Sequence, residues 1–212
     1  MPVEKIQTEQ IDYSQSPVKQ LLKRYEYARQ VKDQWTSTFE ECYEYALPQR
    51  ESFFTETPGR RRTDRIFDET AVVGVQEFAS RLQSGIVPNY ARWADFVAGT
   101  EIPKELQKDA NLLLDQVTEY VFEILQNSNF SQEVHESFLD IALGTAVLLV
   151  EEGDATNPIV FKSIPLPHVY LTSGHDDKVD HVFRRRKIKA KELSVAYPGA
   201  KFEDKLVMDI QQ

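Results

Sequence analysis

Five residues in one short stretch, His175, Asp176, Asp177, Asp180 and His181, are of the types that ligate metal ions. A hydrolytic metal centre needs such ligands to converge from separate elements and to leave one coordination position open. Here all five fall in or just after a turn opened by Ser173-Gly174, between two runs of strand-forming residues. That context favours a solvated hairpin turn, and a metal-dependent hydrolase centred there is the alternative of an enzymatic class. His135 and His168 are isolated. Cys42, the single cysteine, falls on the apolar side of a helical pattern, which predicts a packed thiol and not a nucleophile. The neighbouring carboxylates Glu40-Glu41 and Glu151-Glu152 point in different directions on a helix or strand, so neither makes an acid–base pair. No phosphate-binding glycine loop, nucleophile elbow, HExxH or CxxC pattern occurs. The residues predict neither an enzyme nor a cofactor nor a bound metal.

Two basic runs remain. Arg60, Arg61, Arg62 and Arg65 precede a helical pattern, and Arg184, Arg185, Arg186 and Lys187 leave a strand pattern, followed by Lys189 and Lys191. Either run suits a subunit interface or contact with DNA phosphates. In a continuing strand, Arg185 and Lys187 face opposite to Arg184 and Arg186. That split favours a solvated rim, or salt bridges to the acidic helices of a neighbour, over phosphate binding. The chain carries a net charge of −9, and its distribution is uneven. From Glu101 to Asp154 twelve acidic residues stand against Lys104 and Lys108, a local charge of −10. A nucleic-acid reader is expected to show a net basic face, and this chain does not. An acidic lining still suits a path along which DNA slides without sticking.

The elements that must position these residues are legible in the periodicity. The first fifteen residues are polar and form a loose arm by expectation. Ser16-Pro17 reads as a helix start. Apolar residues at three- and four-residue steps then predict one helix of about thirty residues, roughly 45 Å long, ended by Pro48. Residues 49–63 form an arginine-bearing loop, and a second helix starts near Thr63 or Asp68 and stops at Pro88-Asn89. Trp93 to Val97 reads as a short strand. Pro103 opens a third helix that breaks at Asn127 to Asn129, and Ser131 caps a fourth that turns Val134, Phe138, Ile141 and Ala142 inward and ends at Gly144. The pattern then changes to strands at Thr145 to Glu151, Ile159 to Ile164, Val169 to Thr172 and Val179 to Ile188, in a meander or hairpin arrangement. Lys189 to Tyr197 is a short helix, and residues 201–212 begin another that is unfinished at Gln212, as in the front part of a longer protein. The fold class predicted is α+β, with a mainly helical region over 16–144 and a β-rich region over 145–200.

At 24.5 kDa the chain is long enough for a real core, with about 10,000 Å² exposed when compact and about 70% of the unfolded surface buried. One cysteine excludes an intrachain disulfide and fits a reducing compartment. The first twenty residues hold no apolar run of the secretory kind, and Ala146 to Val150, the longest apolar run, is far shorter than a membrane span. A soluble intracellular protein without membrane contact is the expectation.

Taken in order, several pieces resemble the head-to-tail connector, or portal, proteins of short-tailed bacteriophages. They are Arg65-Ile-Phe-Asp-Glu-Thr-Ala71, Phe78-Ala-Ser-Arg-Leu82, Gly85-Ile-Val-Pro88 and Ala91-Arg-Trp-Ala-Asp-Phe96. Further on come the run Phe138 to Leu148 through Gly144-Thr145, then Ile164-Pro-Leu-Pro-His-Val-Tyr170, and the hairpin residues Asp177, Asp180, Val182, Phe183 and Arg184. The resemblance spans residues 17–200 and carries no catalytic signature. It implies a dodecameric ring of identical subunits at one capsid vertex, within a virion assembled in the host cytoplasm. By the same resemblance the ring conducts double-stranded DNA without sequence preference. Its partners would be terminase, tail adaptor proteins, and the capsid and scaffolding proteins. This chain would supply the N-terminal part of the peripheral wing, with no counterpart of the stem, clip or crown. A scaffold or adaptor module of α+β class, without a channel, is the non-enzymatic alternative.

Overall fold

In the computed structural model, which describes residues 17–50, 66–174, 176 and 178–200, helices come first and hairpins last. The order is α1 (Pro17–Asp33), α2 (Thr36–Ala46), α3 (Thr70–Ile86), α4 (Lys104–Asn127), α5 (Phe130–Leu143), β1 (Val147–Glu152), β2 (Ile159–Ile164), β3 (Val169–Ser173), β4 (Val179–Arg184) and α6 (Ala190–Ala196). A 3-10 turn, Leu166–His168, joins the two hairpins. This is the α+β class read from the sequence. The N-terminal arm, the arginine loop and residues 201–212 lie outside the described residues.

The single long first helix of the sequence reading is two helices. The Thr36 hydroxyl donates to the Lys32 carbonyl at 3.1 Å, and the Trp35 amide turns back to the same carbonyl at 2.9 Å. A hydroxyl bonded four residues back bends a helix, and the three-residue backbone bond tightens the turn until α1 ends. Trp35 is left more than half exposed, against the inward place that periodicity gave it. Asp68 accepts from the Thr70 amide and hydroxyl, so α3 starts at the later of the two expected positions. Ser131 is not the cap of α5. It sits inside the first turn, donating to Asn89 Oδ1 at 2.7 Å, while Asn129 is the capping residue. Ile141 is exposed, and the buried face of α5 is Val134, Ser137, Phe138, Leu139 and Asp140.

The core forms where α2, α3 and α5 meet. Tyr43, Leu47, Ala79, Val134, Phe138 and Leu139 pack with Leu166 from the 3-10 turn. Ala79 has no exposed surface, and its missing side-chain bulk lets α3 approach α5 closely. Gly144 closes α5 through its amide to the Asp140 carbonyl. A Cβ there would stand 3.1 Å from the Phe39 ring, so a larger residue would push α2 away.

Inside this apolar junction lies a charged one. The Asp140 carboxylate is fully buried and takes a hydrogen bond from Tyr43 at 2.8 Å and two from Arg50, at 3.2 and 2.7 Å. Arg50 also reaches Glu136 and donates to the Ser163 hydroxyl at 2.8 Å. Burial and the Asp140 charge push the Tyr43 phenol far above its usual range. Burial works against the Arg50 charge, and the hydrogen bonds and charge of Asp140 outweigh it.

The β-rich part is two separate two-stranded antiparallel hairpins, β1–β2 and β3–β4, and not one meander. β2 is finished by side chains where a third strand would otherwise pair. Asn129 donates to the Phe161 carbonyl at 2.7 Å and accepts from its amide at 3.0 Å, and Glu133 accepts from the Ser163 amide at 2.6 Å. Those groups point away from β1, so the start of α5 occupies the sheet edge. The turn before β2 needs glycine at 153, because a Cβ would lie 1.9 Å from the Asn157 carbonyl oxygen.

The stretch expected as a strand, Trp93 to Val97, lies outside any strand or helix. Its amides are satisfied by α4 side chains: Phe96 N–H by the Thr118 hydroxyl at 3.2 Å and Ala98 N–H by Asn111 Oδ1 at 2.8 Å. β4 stops at Arg184, short of the expected Ile188.

Replacing Arg50 with Met leaves the Asp140 carboxylate buried without its cation. Loss of one partner of a buried pair costs about 3–5 kcal/mol, so urea denaturation of Arg50→Met should give a midpoint well below the wild type. A midpoint within error of the wild type would show that the ion pair does not hold α2 to α5.

Candidate interaction surfaces

The sequence nominated two basic runs. Arg60, Arg61, Arg62 and Arg65 lie outside the described residues. The other run is placed at one end of the fold. Arg184 closes β4, and Arg185, Arg186 and Lys187 follow outside any strand or helix, all exposed. Because the strand ends at Arg184, the two-face alternation expected of this run does not extend through it. The Arg185 amide donates to the His168 carbonyl at 2.8 Å, and its guanidinium lies 5.8 Å from the centre of the Tyr170 ring.

The Tyr170 side of that hairpin is held by α1. Tyr25 meets Tyr170 and Phe183 edge to face at 5.1 and 5.9 Å. Arg24 Nη1 lies 2.7 Å from His181 Nε2, so a basic residue of α1 is brought against β4. Lys32 is the deepest contact. Its ammonium donates to the carbonyls of Leu166, Pro167 and Val169 at 2.6, 3.0 and 2.8 Å and stands 4.4 Å from the Tyr170 ring centre. These carbonyls belong to the turn where the chain passes from one hairpin to the next. Burial, reinforced by the nearby Arg185 charge, lowers the Lys32 pKa to about 8. At neutral pH the ammonium still holds its protons and all three bonds. Nothing in the local sequence distinguishes Lys32 from the other α1 lysines, since its partners lie more than 130 residues away.

The metal-type residues do not form a site among the described residues. His175 and Asp177 lie outside them. Asp176 faces Lys178 at 3.5 Å, and Asp180 lies 2.8 Å from His181 Nδ1, whose other nitrogen meets Arg24. The groups pair with cations and with one another. Cys42 is half-buried.

The acidic segment is carried chiefly by α4. Its inner side is Leu114, Thr118, Val121 and Leu125, while Glu105, Asp109, Glu119 and Glu123 repeat along the opposite side, where all four are exposed. Leu112, Leu113 and Tyr120 stand among them. The flank of α4 that carries Asp115 borders a cleft lined by Arg92, Phe96 and Val97, and Arg92 pairs with both Asp95 and Asp115. A smaller hollow beside it is aromatic, formed by Tyr90, Trp93, Phe122 and Phe130. Trp93 and Phe130 stack with centroids 6.2 Å apart, and Tyr90 is almost wholly exposed. Both are open surface features.

Large apolar residues on every long helix remain exposed, including Leu22, Trp35, Val73, Ile86 and the α4 set. Residues 18–212 match the family described as bacteriophage head to tail connecting protein. The chain belongs to that family. A probable portal protein of Bordetella phage BPP-1 is 25% identical over 185 residues, covering 84% of this chain and 32% of the phage protein. The chain thus spans about a third of that relative's length. Among the described residues, no helix is long and apolar enough to cross a membrane.

The Lys32 cage makes a signed pH prediction for this connector-family chain. Its folded pKa, about 8, lies below the ordinary lysine value of 10.5, so the unfolded chain holds more protons between the two. The contribution of this group to stability therefore rises as pH climbs through that window and is lowest below pH 8. Denaturation series across the window should show that the wild type has a steeper upward slope than Lys32→Met. Identical slopes would mean that Lys32 is not desolvated by the hairpin.

Proposed function

We propose that this chain is the N-terminal wing part of a portal subunit, a structural component of a phage virion with no catalytic step. In this reading twelve copies form a ring at one capsid vertex. Double-stranded DNA passes through the ring without sequence recognition, and terminase, tail adaptors, and capsid and scaffolding proteins dock on it. Assembly takes place in the host cytoplasm. The observation that carries the proposal is the match to the connector family from residue 18 to residue 212.

The geometry supports a subunit role over that of a self-contained module. Exposed Leu112, Leu113, Tyr120 and Trp35 are side chains that a protein working alone would bury. Neighbours in a ring bury such faces, and a head-to-tail contact uses two different surfaces of each copy. The basic runs, Arg60 to Arg62 with Arg65 and Arg184 to Lys187, are assigned to contacts at the subunit rim.

Negative-stain microscopy and mass photometry of the purified longer protein that carries this chain provide the test. Rings with a central channel and a mass near twelve subunits are expected. A monomer or dimer at every concentration would favour the scaffold or adaptor reading instead.

A further inference from the structure

We infer that the outer face of α4 is one half of a contact between copies, and that the basic end formed by α1 and β4 of the next copy is the other half. The inference rests on the proposed ring and names the two surfaces that would close it. Four carboxylates, Glu105, Asp109, Glu119 and Glu123, share the side of α4 turned away from the fold. Interleaved with them, Leu112, Leu113 and Tyr120 are 60%, 63% and 64% exposed. By helical spacing Lys104 stands on the Asp115 flank, and Lys108 borders this face, lining the same cleft as Leu112 and Asp115. An acidic stripe with a large apolar content is costly to leave in water and calls for a cationic, partly apolar partner.

This chain contains such a partner. Arg24 of α1 is drawn to the strand that ends in Arg184 by the Arg24–His181 contact and the α1–β3 packing, and Arg185, Arg186 and Lys187 follow that strand. Apolar surface accompanies them at Leu22 (54% exposed) and Val182 (52%). The acidic residues at this end are Glu26, Asp33 and Asp180. Asp33 lies 3.8 Å from Arg29, and Asp180 lies against His181. The end remains net positive. The two surfaces differ and belong to separate elements, so their union is heterologous and leads to a closed ring or a filament. DNA phosphates could take the basic end alone, but they leave the acidic, apolar α4 face uncovered, so a second copy accounts for both.

Two charge-reversed variants, made in the same longer protein on which the ring is tested, test this, all at exposed positions: Arg184→Glu with Arg186→Glu, and Glu119→Lys with Glu123→Lys. Each alone should self-associate about tenfold or more weakly than wild type in sedimentation velocity, with unchanged circular dichroism. An equimolar mixture of the two should restore assembly, because each reversed face then meets an opposite charge on the other variant. Higher salt should weaken the wild-type assembly. If wild-type assemblies form and both variants form them equally well, the assigned surfaces are wrong while the ring stands. If the first variant assembles normally but loses retention of duplex DNA, the basic end is a phosphate site and the inference fails. If the wild type stays monomeric at every concentration, both the ring and this contact fall.

Discussion

A carboxylate with no access to water has to be neutralised where it lies, and Asp140 sets that requirement at the centre of this chain. Arg50 and Tyr43 meet it, and both come from the α2 end of the sequence. Their geometry fixes how the C-terminal end of α2 crosses α5. Arg50 extends the constraint to β2 through Ser163. An apolar residue at position 140 would let α2 slide along α5. A buried ion pair with directional hydrogen bonds holds one register. The ring of Phe39 against Gly144 then leaves no slack at the same junction.

The second theme is how backbone groups are satisfied without a large sheet. Asn129 and Glu133 stand where a neighbouring strand would be beside β2. Thr118 and Asn111 do the same for the stretch through Phe96 and Ala98. Lys32 gathers three carbonyls at the joint between hairpins. In each case a side chain on a helix completes backbone that would otherwise seek another strand. These backbone groups are thereby bonded without a larger sheet.

Charge follows the same division. α4 presents carboxylates on its outer side, and α1 with the end of β4 presents cations. The chain's modest net charge conceals this separation. Opposite potentials on different faces favour head-to-tail contact and fix its register more than they add affinity.

The sequence by itself determined the element types, because helical and strand periods report which face of each segment is apolar. It showed the change from helices to hairpins at Gly144, the helix beginning after Pro103, and a collinear set of motifs that resembles the connector family. It could not show that the first helix breaks at Trp35. The Thr36 hydroxyl bond that accompanies the break is local, but the Lys32 anchor beside it binds carbonyls more than 130 residues away. It misread Trp93 to Val97 as a strand because the residue pattern is the same whether the backbone's partners are strand amides or α4 side chains. Tertiary structure alone decided that Lys32 and Arg50 would be part-buried anchors while similar residues nearby stayed in water. The partners that offset desolvation, fully for Arg50 and only in part for Lys32, are distant in the chain, and local sequence does not record them.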